Sequence, residues 1–355
     1  VFRYRIVQIL LLPVSLIYGF SVWLRTRWYA WGLLKRVDFA IPVICVGNLS
    51  IGGTGKSPHI EYLIRLLSPH IQVATLSRGY GRSSKGFKWV HPTGNSQETG
   101  DEPLQFARKF PELPVAVAES RVVGIISMLK DRPDIQTILL DDAFQHLAVN
   151  PYISLLLTEY SRPYFKDFLL PSGRLRDLPA ARKRADLTIV SKSPDTVSRE
   201  QRADWRLRLK QDDEHPVLFT RYRYERPYFL LDPEITLILD ERVDVLLVSA
   251  IAHTDYLMSY LEAQTGELST MNFEDHHYFT KYEMGQIQRV FQNFGSENKI
   301  ILTTEKDATR LALHRDYIIE AKLPIFILPV EVEFLDDDAE VFDAYIKSML
   351  IKFES

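Results

Sequence analysis

The residues Gly52-Gly53-Thr54-Gly55-Lys56-Ser57 combine the parts that hold a polyphosphate. Glycines let the backbone wrap closely around phosphate oxygens with its N–H groups pointing inward. A lysine at this spacing reaches the terminal phosphates, and the hydroxyl beside it is a ligand for Mg²⁺. This is a P-loop with one departure, Ser50 standing where the usual pattern has its first glycine. The plainer alternative is a glycine-rich turn with an incidental lysine. About 85 residues further on, the run Thr137-Ile138-Leu139-Leu140 ends in Asp141-Asp142, the pattern of a Walker B strand. A third stretch, Leu170-Pro171-Ser172-Gly173-Arg174-Leu175-Arg176-Asp177, sets two arginines beside a glycine. That composition suits a phosphate clamp and equally a solvated surface loop.

Such residues act together only if strands and helices deliver them to one edge. The apolar run at 41–47 predicts the strand before the P-loop, and Ile60, Leu63, Ile64 and Leu67 recur behind it at helical spacing. Pro58 suits that helix's first turn, and the helix start adds free N–H groups and partial positive charge. Further strands are expected at 71–77, 114–118, 137–142, 153–157 and 187–190, with helices at 104–110 and 122–129 and a loop or small hairpin over 83–102. The alternation defines an α/β chain with a P-loop core sheet and flanking helices (37–215). Residues 195–215 are densely charged and read as an exposed helix or linker. Segments 216–223 and 228–239 read as paired strands, a β-ribbon linker over 216–240. A second, smaller α/β lobe follows over 241–355, with strands at 243–250, 299–303 and 324–328.

The 355 residues are 46% hydrophobic and 25% charged, the composition of a folded globular protein. A single cysteine, Cys45, excludes an internal disulfide framework and fits exposure to the cytosol. The net charge of −3 argues against a nucleic-acid partner, but it is unevenly spread. Residues 1–36 carry Arg3, Arg5, Arg25, Arg27, Lys35 and Arg36 and no acid. Between Arg5 and Arg25 the uncharged stretch Ile6 to Leu24 would make a helix about 28 Å long, close to a bilayer's hydrocarbon thickness. Trp23, Trp28, Tyr29 and Trp31 gather at its end, as in aromatic belts at membrane interfaces. The expectation is an N-terminal membrane-associated helix over 1–36, spanning or lying in the surface. A buried core helix is the alternative.

Taken together, the motifs resemble those of the tetraacyldisaccharide 4′-kinases, the lipid A 4′-kinases of Gram-negative bacteria. They are the P-loop with Gly47-Asn48 before it, Ser77-Arg78-Gly79-Tyr80, Gly100-Asp101-Glu102-Pro103, Asp141-Asp142-Ala143-Phe144-Gln145-His146, Gly173-Arg174-Leu175-Arg176, Phe273-Glu274-Asp275-His276-His277 and Thr304-Glu305-Lys306-Asp307-Ala308. The resemblance runs over nearly the whole chain. Ala143 stands where the family usually has glycine, Leu147 where it has arginine or lysine, and Ser57 where threonine is commoner.

The resemblance implies ATP-dependent phosphorylation of the 4′-hydroxyl of tetraacyldisaccharide 1-phosphate, at the cytoplasmic face of the bacterial inner membrane. No obligate protein partner is implied. ATP would be held by Gly52, Gly53, Thr54, Gly55, Lys56 and Ser57, with Arg78 and Arg176 as clamps, and Mg²⁺ by Ser57 with Asp141 or Asp142. Carried over from the family, Asp101 and His276 join Lys56 as catalytic residues, a carboxylate fixing the tautomer of an imidazole base. His277 is the competitor, since neighbouring strand residues face opposite ways. Glu102 and Arg121 are further candidates for phosphate or supporting contacts. Thr304 followed by Asp307 reads as a helix cap, so that run receives no catalytic role. The competing reading is a membrane-associated P-loop ATPase switch recruiting protein partners. Members of that class often place a lysine where this chain has Ile51.

Overall fold

A computed structural model describes residues 2–209, 215–251 and 254–354. Lys210, Asp212, Asp213 and Glu214 of the charged run, and the side chains of Arg3 and Arg5, lie outside the described residues. The apolar runs form strands β1 (Val43–Asn48), β2 (Val73–Ser77), β3 (Lys88–Trp89), β4 (Val115–Val117), β5 (Thr137–Asp141), β6 (Ile153–Glu159), β7 (Leu187–Ser191) and β8 (Val217–Tyr224). With β15 (Val330–Phe334) they make a nine-stranded sheet in the order β15-β8-β7-β6-β1-β5-β2-β4-β3. All neighbours from β8 to β4 are parallel, and β15 and β3 close the edges antiparallel. Helices cover both faces, so the strands read as continuous apolar runs. Along β1, Val43 and Cys45 enter one core layer while Ile44 and Val46 enter the other.

A second sheet contains β9 (Tyr228–Phe229), β10 (Asp232–Thr236), β11 (Asp244–Ser249), β12 (Leu268–Asn272), β13 (Lys299–Thr304) and β14 (Ile325–Leu328), in the order β10-β9-β14-β13-β11-β12. The expected pairing of 216–223 with 228–239 is corrected here. β8 lies parallel to β7 in the first sheet, because Val217, Leu218 and Phe219 are buried together as an interior strand requires. Its antiparallel partner is β15, and β9 pairs antiparallel with β14. A ribbon does join the two sheets, built from chain segments about 100 residues apart in sequence rather than from one local hairpin.

The expected extent of the second lobe, 241–355, also changes. After β14 the chain returns to the first sheet through β15, and the helix Asp338–Glu354 packs there. Phe342 and Ile346 are buried against the layer that holds Ile44, Ile60 and Leu63. The charged run forms the helix Arg199–Leu209, mostly exposed except for Trp205 and Leu209.

The N-terminal helix runs from Phe2 to Ala30. Its segment Val7–Ala30 contains an 18-residue stretch with a mean hydropathy of 1.9, of which 11% is buried, and is long and apolar enough to cross a membrane. One face is pinned to the first lobe. Ser15 donates to the Leu169 carbonyl at 3.0 Å, the Tyr18 hydroxyl to the Arg176 carbonyl at 2.9 Å, and Arg25 to the Gln145 carbonyl at 2.7 Å. Leu10, Leu16, Ile17 and Phe20 stand exposed.

Candidate active site

β1 lies between β5 and β6 and parallel to both, where the winding of the sheet reverses. In open α/β sheets ligands bind outside the strand ends at this point, and the P-loop begins there. Gly52 and Gly55 adopt φ of 108° and 84°, and a Cβ on Gly55 would meet the Tyr222 hydroxyl at 2.9 Å. The loop is braced from three sides. Asn48 Nδ2 donates to Thr54 Oγ1 at 2.8 Å, Ser191 Oγ to the Thr54 carbonyl at 2.8 Å, and Ile51 N–H to the Arg174 carbonyl at 2.8 Å. Ser50 pairs as an isolated bridge with Leu175 and has no left-handed φ, so this position makes no demand for glycine. Lys56 opens the helix Lys56–Leu67.

β5 delivers the two aspartates into different environments. Asp141 is 1% exposed, and neither carboxylate oxygen has a hydrogen-bond partner. Burial pushes its pKa up to about 7, helped by the charges of Glu102 and Asp142 and opposed by Lys56 and Lys306. Asp142 turns away through a left-handed φ of 51°. Burial raises its pKa, but Lys56, whose Nζ is 3.8 Å away, and Arg176, donating at 2.9 Å to Oδ2, hold it below the usual carboxylate range. The left-handed residue of this turn is Asp142 and not its neighbour, so Ala143 fits without strain. Arg176 also donates to Asn48 Oδ1, so its guanidinium bridges β1 and the Asp142 turn. Ser57 Oγ lies 3.3 Å from Glu102 Oε1.

Arg78 stands exposed just beyond β2; burial lowers the pKa values of Arg121 and His146, and the charge of Arg78 adds a smaller push in the same direction. Arg121 is 2% exposed and donates to the carbonyls of Ala118 at 2.6 Å and Asp141 at 3.3 Å. It therefore supports the Asp141 strand end from below.

The helix behind the P-loop edge starts at Asp101, earlier than the apolar spacing from Leu104 indicates. Gly100 makes this possible: its φ is 92°, and a Cβ there would come within 3.0 Å of the Gly79 Cα. Asp101, 4% exposed, accepts from His276 Nδ1 at 2.9 Å, although 175 residues separate the two. Arg310 lies 3.4 Å from the same oxygen. Burial raises the Asp101 pKa, and His276, Lys306 and Arg310 together take it well below the usual range. The hydrogen bond to Asp101 in turn raises the pKa of His276. Tyr80 packs beside the imidazole at 5.2 Å between ring centroids. His277 is tied to Glu283 at 2.9 Å and stacked on Phe273. A left-handed turn at His276, φ 62°, separates the two rings, rather than strand alternation.

Lys306 joins this cluster although the sequence gives its run no catalytic role. Thr304 does cap its helix, accepting from the Asp307 N–H at 3.2 Å. Lys306 nonetheless leaves that helix to donate to Glu102, and the charges of Glu102 and Asp101 raise its pKa against the effect of burial. The signal was the Thr304-Glu305-Lys306-Asp307-Ala308 motif itself, for which a cap explains the threonine and not the lysine. Lys56, Asp142 and Arg176 thus form one cluster and Asp101, His276, Lys306 and Arg310 another, with Ser57, Glu102 and Asp141 between. Among the described residues no three His, Cys, Asp or Glu side chains form a closed metal cage. A cation here would complete its shell with phosphate oxygens and water, as Mg²⁺ commonly does, and the unpartnered oxygens of Asp141 suit it.

Residues 7–350 match the family described as Tetraacyldisaccharide-1-P 4'-kinase. A tetraacyldisaccharide 4'-kinase of Bacteroides thetaiotaomicron is 41% identical over 350 residues, covering 95% of this chain and 91% of its own length. One from Flavobacterium johnsoniae is 39% identical, covering 96% and 98%. The fold is similar to the crystal structure of the "apo" form of LpxK from Aquifex aeolicus in complex with ATP. Here the TM-score is 0.74 at 26% identity, covering 97% of this chain and 99% of that one. This chain belongs to the tetraacyldisaccharide 4′-kinase family.

Proposed function

We propose that the chain transfers the γ-phosphoryl group of ATP to the 4′-hydroxyl of tetraacyldisaccharide 1-phosphate, using Asp101 and His276 to activate the acceptor. The observation that carries the assignment is the 2.9 Å contact between Asp101 and His276 Nδ1, beside the cluster that continues to Ser57 and Asp141. The P-loop backbone N–H groups and Lys56 neutralise the phosphates, which leaves positioning as the main catalytic task. Asp101 holds the Nδ1 proton, so Nε2 is the atom that takes the proton of the 4′-hydroxyl as its oxygen bonds to phosphorus and the bond to ADP breaks. Ser57 and Asp141 would hold Mg²⁺, which spreads the charge of the transferred phosphoryl group. Asp142 and Arg176 orient Lys56 from the side facing the N-terminal helix. That helix would rest in the inner membrane at its cytoplasmic face, where the acceptor's acyl chains are held, and its arginines favour an anionic surface.

The deciding assay follows labelled γ-phosphate from ATP into tetraacyldisaccharide 1-phosphate in detergent micelles. Labelled lipid is expected from the native chain, with a loss of at least about 10²-fold in Lys56→Ala. ATP hydrolysis without labelled lipid would overturn the reading and turn the search toward a switch ATPase with protein partners.

A further inference from the structure

The helix Asp101–Lys109 is tied to the second lobe at both ends. At its start Asp101 meets His276 and Arg310, and Glu102 meets Lys306. About 12 Å further along its axis, Lys109 Nζ lies 2.7 Å from Glu305 Oε1 and 2.7 Å from Glu61 Oε2. Glu61 belongs to the P-loop helix Lys56–Leu67, and Glu305 opens the helix Glu305–Leu311, one residue before Lys306. Gln105 Nε2 donates to the other oxygen of Glu61 at 2.8 Å. Arg65 lies 3.4 Å from Glu61 and 2.7 Å from Glu331. The side chains of Glu61 and Glu305 are only 1% and 6% exposed.

Burying an ammonium between two carboxylates costs desolvation that well-packed apolar side chains would avoid, so net stability is a poor account of it. Geometry is a better one. Lys109 ties one helix to two others, the one that starts at the P-loop and the one that presents Lys306. We propose that the Lys109–Glu61–Glu305 cluster is a positioning device for phosphoryl transfer, setting the Asp101 helix in register with the P-loop helix and with the lobe that carries His276. None of the three touches a reacting atom; they act through Asp101, Glu102 and Lys306. The inference rests on the assignment of Asp101 and His276 as the acceptor-activating pair. It has a specific signature. Releasing the arm to Glu305 leaves the P-loop's hold on ATP intact while loosening the pair that meets the acceptor, so kcat falls and the KM for ATP does not move.

The test uses the full chain in detergent with ATP and tetraacyldisaccharide 1-phosphate. Glu305→Gln keeps the side chain's shape and leaves Lys109 paired one to one with Glu61. Its kcat is expected to fall about tenfold, the scale of a sub-ångström misplacement, with the KM for ATP within about twofold. Lys109→Arg should restore most of the native rate, since it keeps the charge between both carboxylates. Lys109→Met with Glu305→Gln should be no slower than Lys109→Met alone, because residues in one network do not add. Should Glu305→Gln fail to fold, Glu305→Asp, with the charge kept and the arm shortened, carries the same split. A native kcat in Glu305→Gln or in Lys109→Met would overturn the proposal. So would a joint loss of kcat, ATP affinity and melting temperature, the mark of a structural role alone. His276→Ala separates the two assignments. Normal turnover there overturns the catalytic pair, whereas a slow His276→Ala beside a full-speed Glu305→Gln overturns only the positioning role.

Discussion

Asp141 and Asp142 are neighbours in sequence and opposites in chemistry. The first ends a buried strand with both oxygens unpartnered and its pKa pushed up to about 7; the second turns through a left-handed φ onto Lys56 and Arg176 and stays charged. The Asp101–His276 pair shows the same logic across the cleft. Asp101 stabilises the imidazolium, so the pKa of His276 lies above its ordinary value, and the base form is lost as the pH falls through that raised pKa. The acidic limb of kcat/KM is therefore expected above the ordinary histidine pKa of about 6.5. In Asp101→Asn it should move down toward that value while the plateau drops by about 10²-fold or more. A limb that stays in place, measured across a pH series in the lipid assay, would remove His276 as the titrating base.

Strands and helices were legible wherever one element decides its own fate. The runs at 137–142 and 153–157 are strands because continuous apolar, β-branched stretches suit a sheet covered on both faces. Partnership was harder to read. Residues 217–224 alternate enough at their end to pass for half of a hairpin, yet the choice between β7 and a ribbon depends on Phe219 being buried in the first sheet's core beneath Trp205 of the preceding helix. Nothing in local spacing tells Asp101 that it meets His276; motif resemblance joined them, and a left-handed turn at each of Gly100 and His276 makes the meeting possible. Lys306 was hidden because a cap is a backbone signal that leaves the neighbouring side chain undecided. The expected extent of the second lobe, 241–355, fails at the helix Asp338–Glu354 for a similar reason, since position along the chain does not say whose core a segment fills. Its anchoring role is measurable. Phe342→Ala, at a site 1% exposed, should cost about 3–5 kcal/mol. In urea unfolding, the loss is expected in the ATP-binding lobe, where bound nucleotide offsets it. A loss that nucleotide does not offset would return this helix to the second lobe.

At the scale of the molecule, the N-terminal helix and the cleft are mechanically continuous. Tyr18 holds the backbone of Arg176, and Arg176 holds Asp142, so a surface that seats the helix also fixes the height of the site above it. The ribbon between the sheets has a different implication. The chain leaves the first sheet at Tyr224 and re-enters it at Val330, and these two residues are register partners in adjacent antiparallel strands. The intervening hundred or so residues are, topologically, a cassette inserted at the tip of what would otherwise be a hairpin. Closing that gap with a two-residue Asn-Gly turn should yield a minimal nucleotide-binding protein that still retains ATP, read by calorimetry, yet phosphorylates no lipid. The half of the site that distinguishes a kinase from a nucleotide holder would then be a severable module, one whose entry and exit lie side by side.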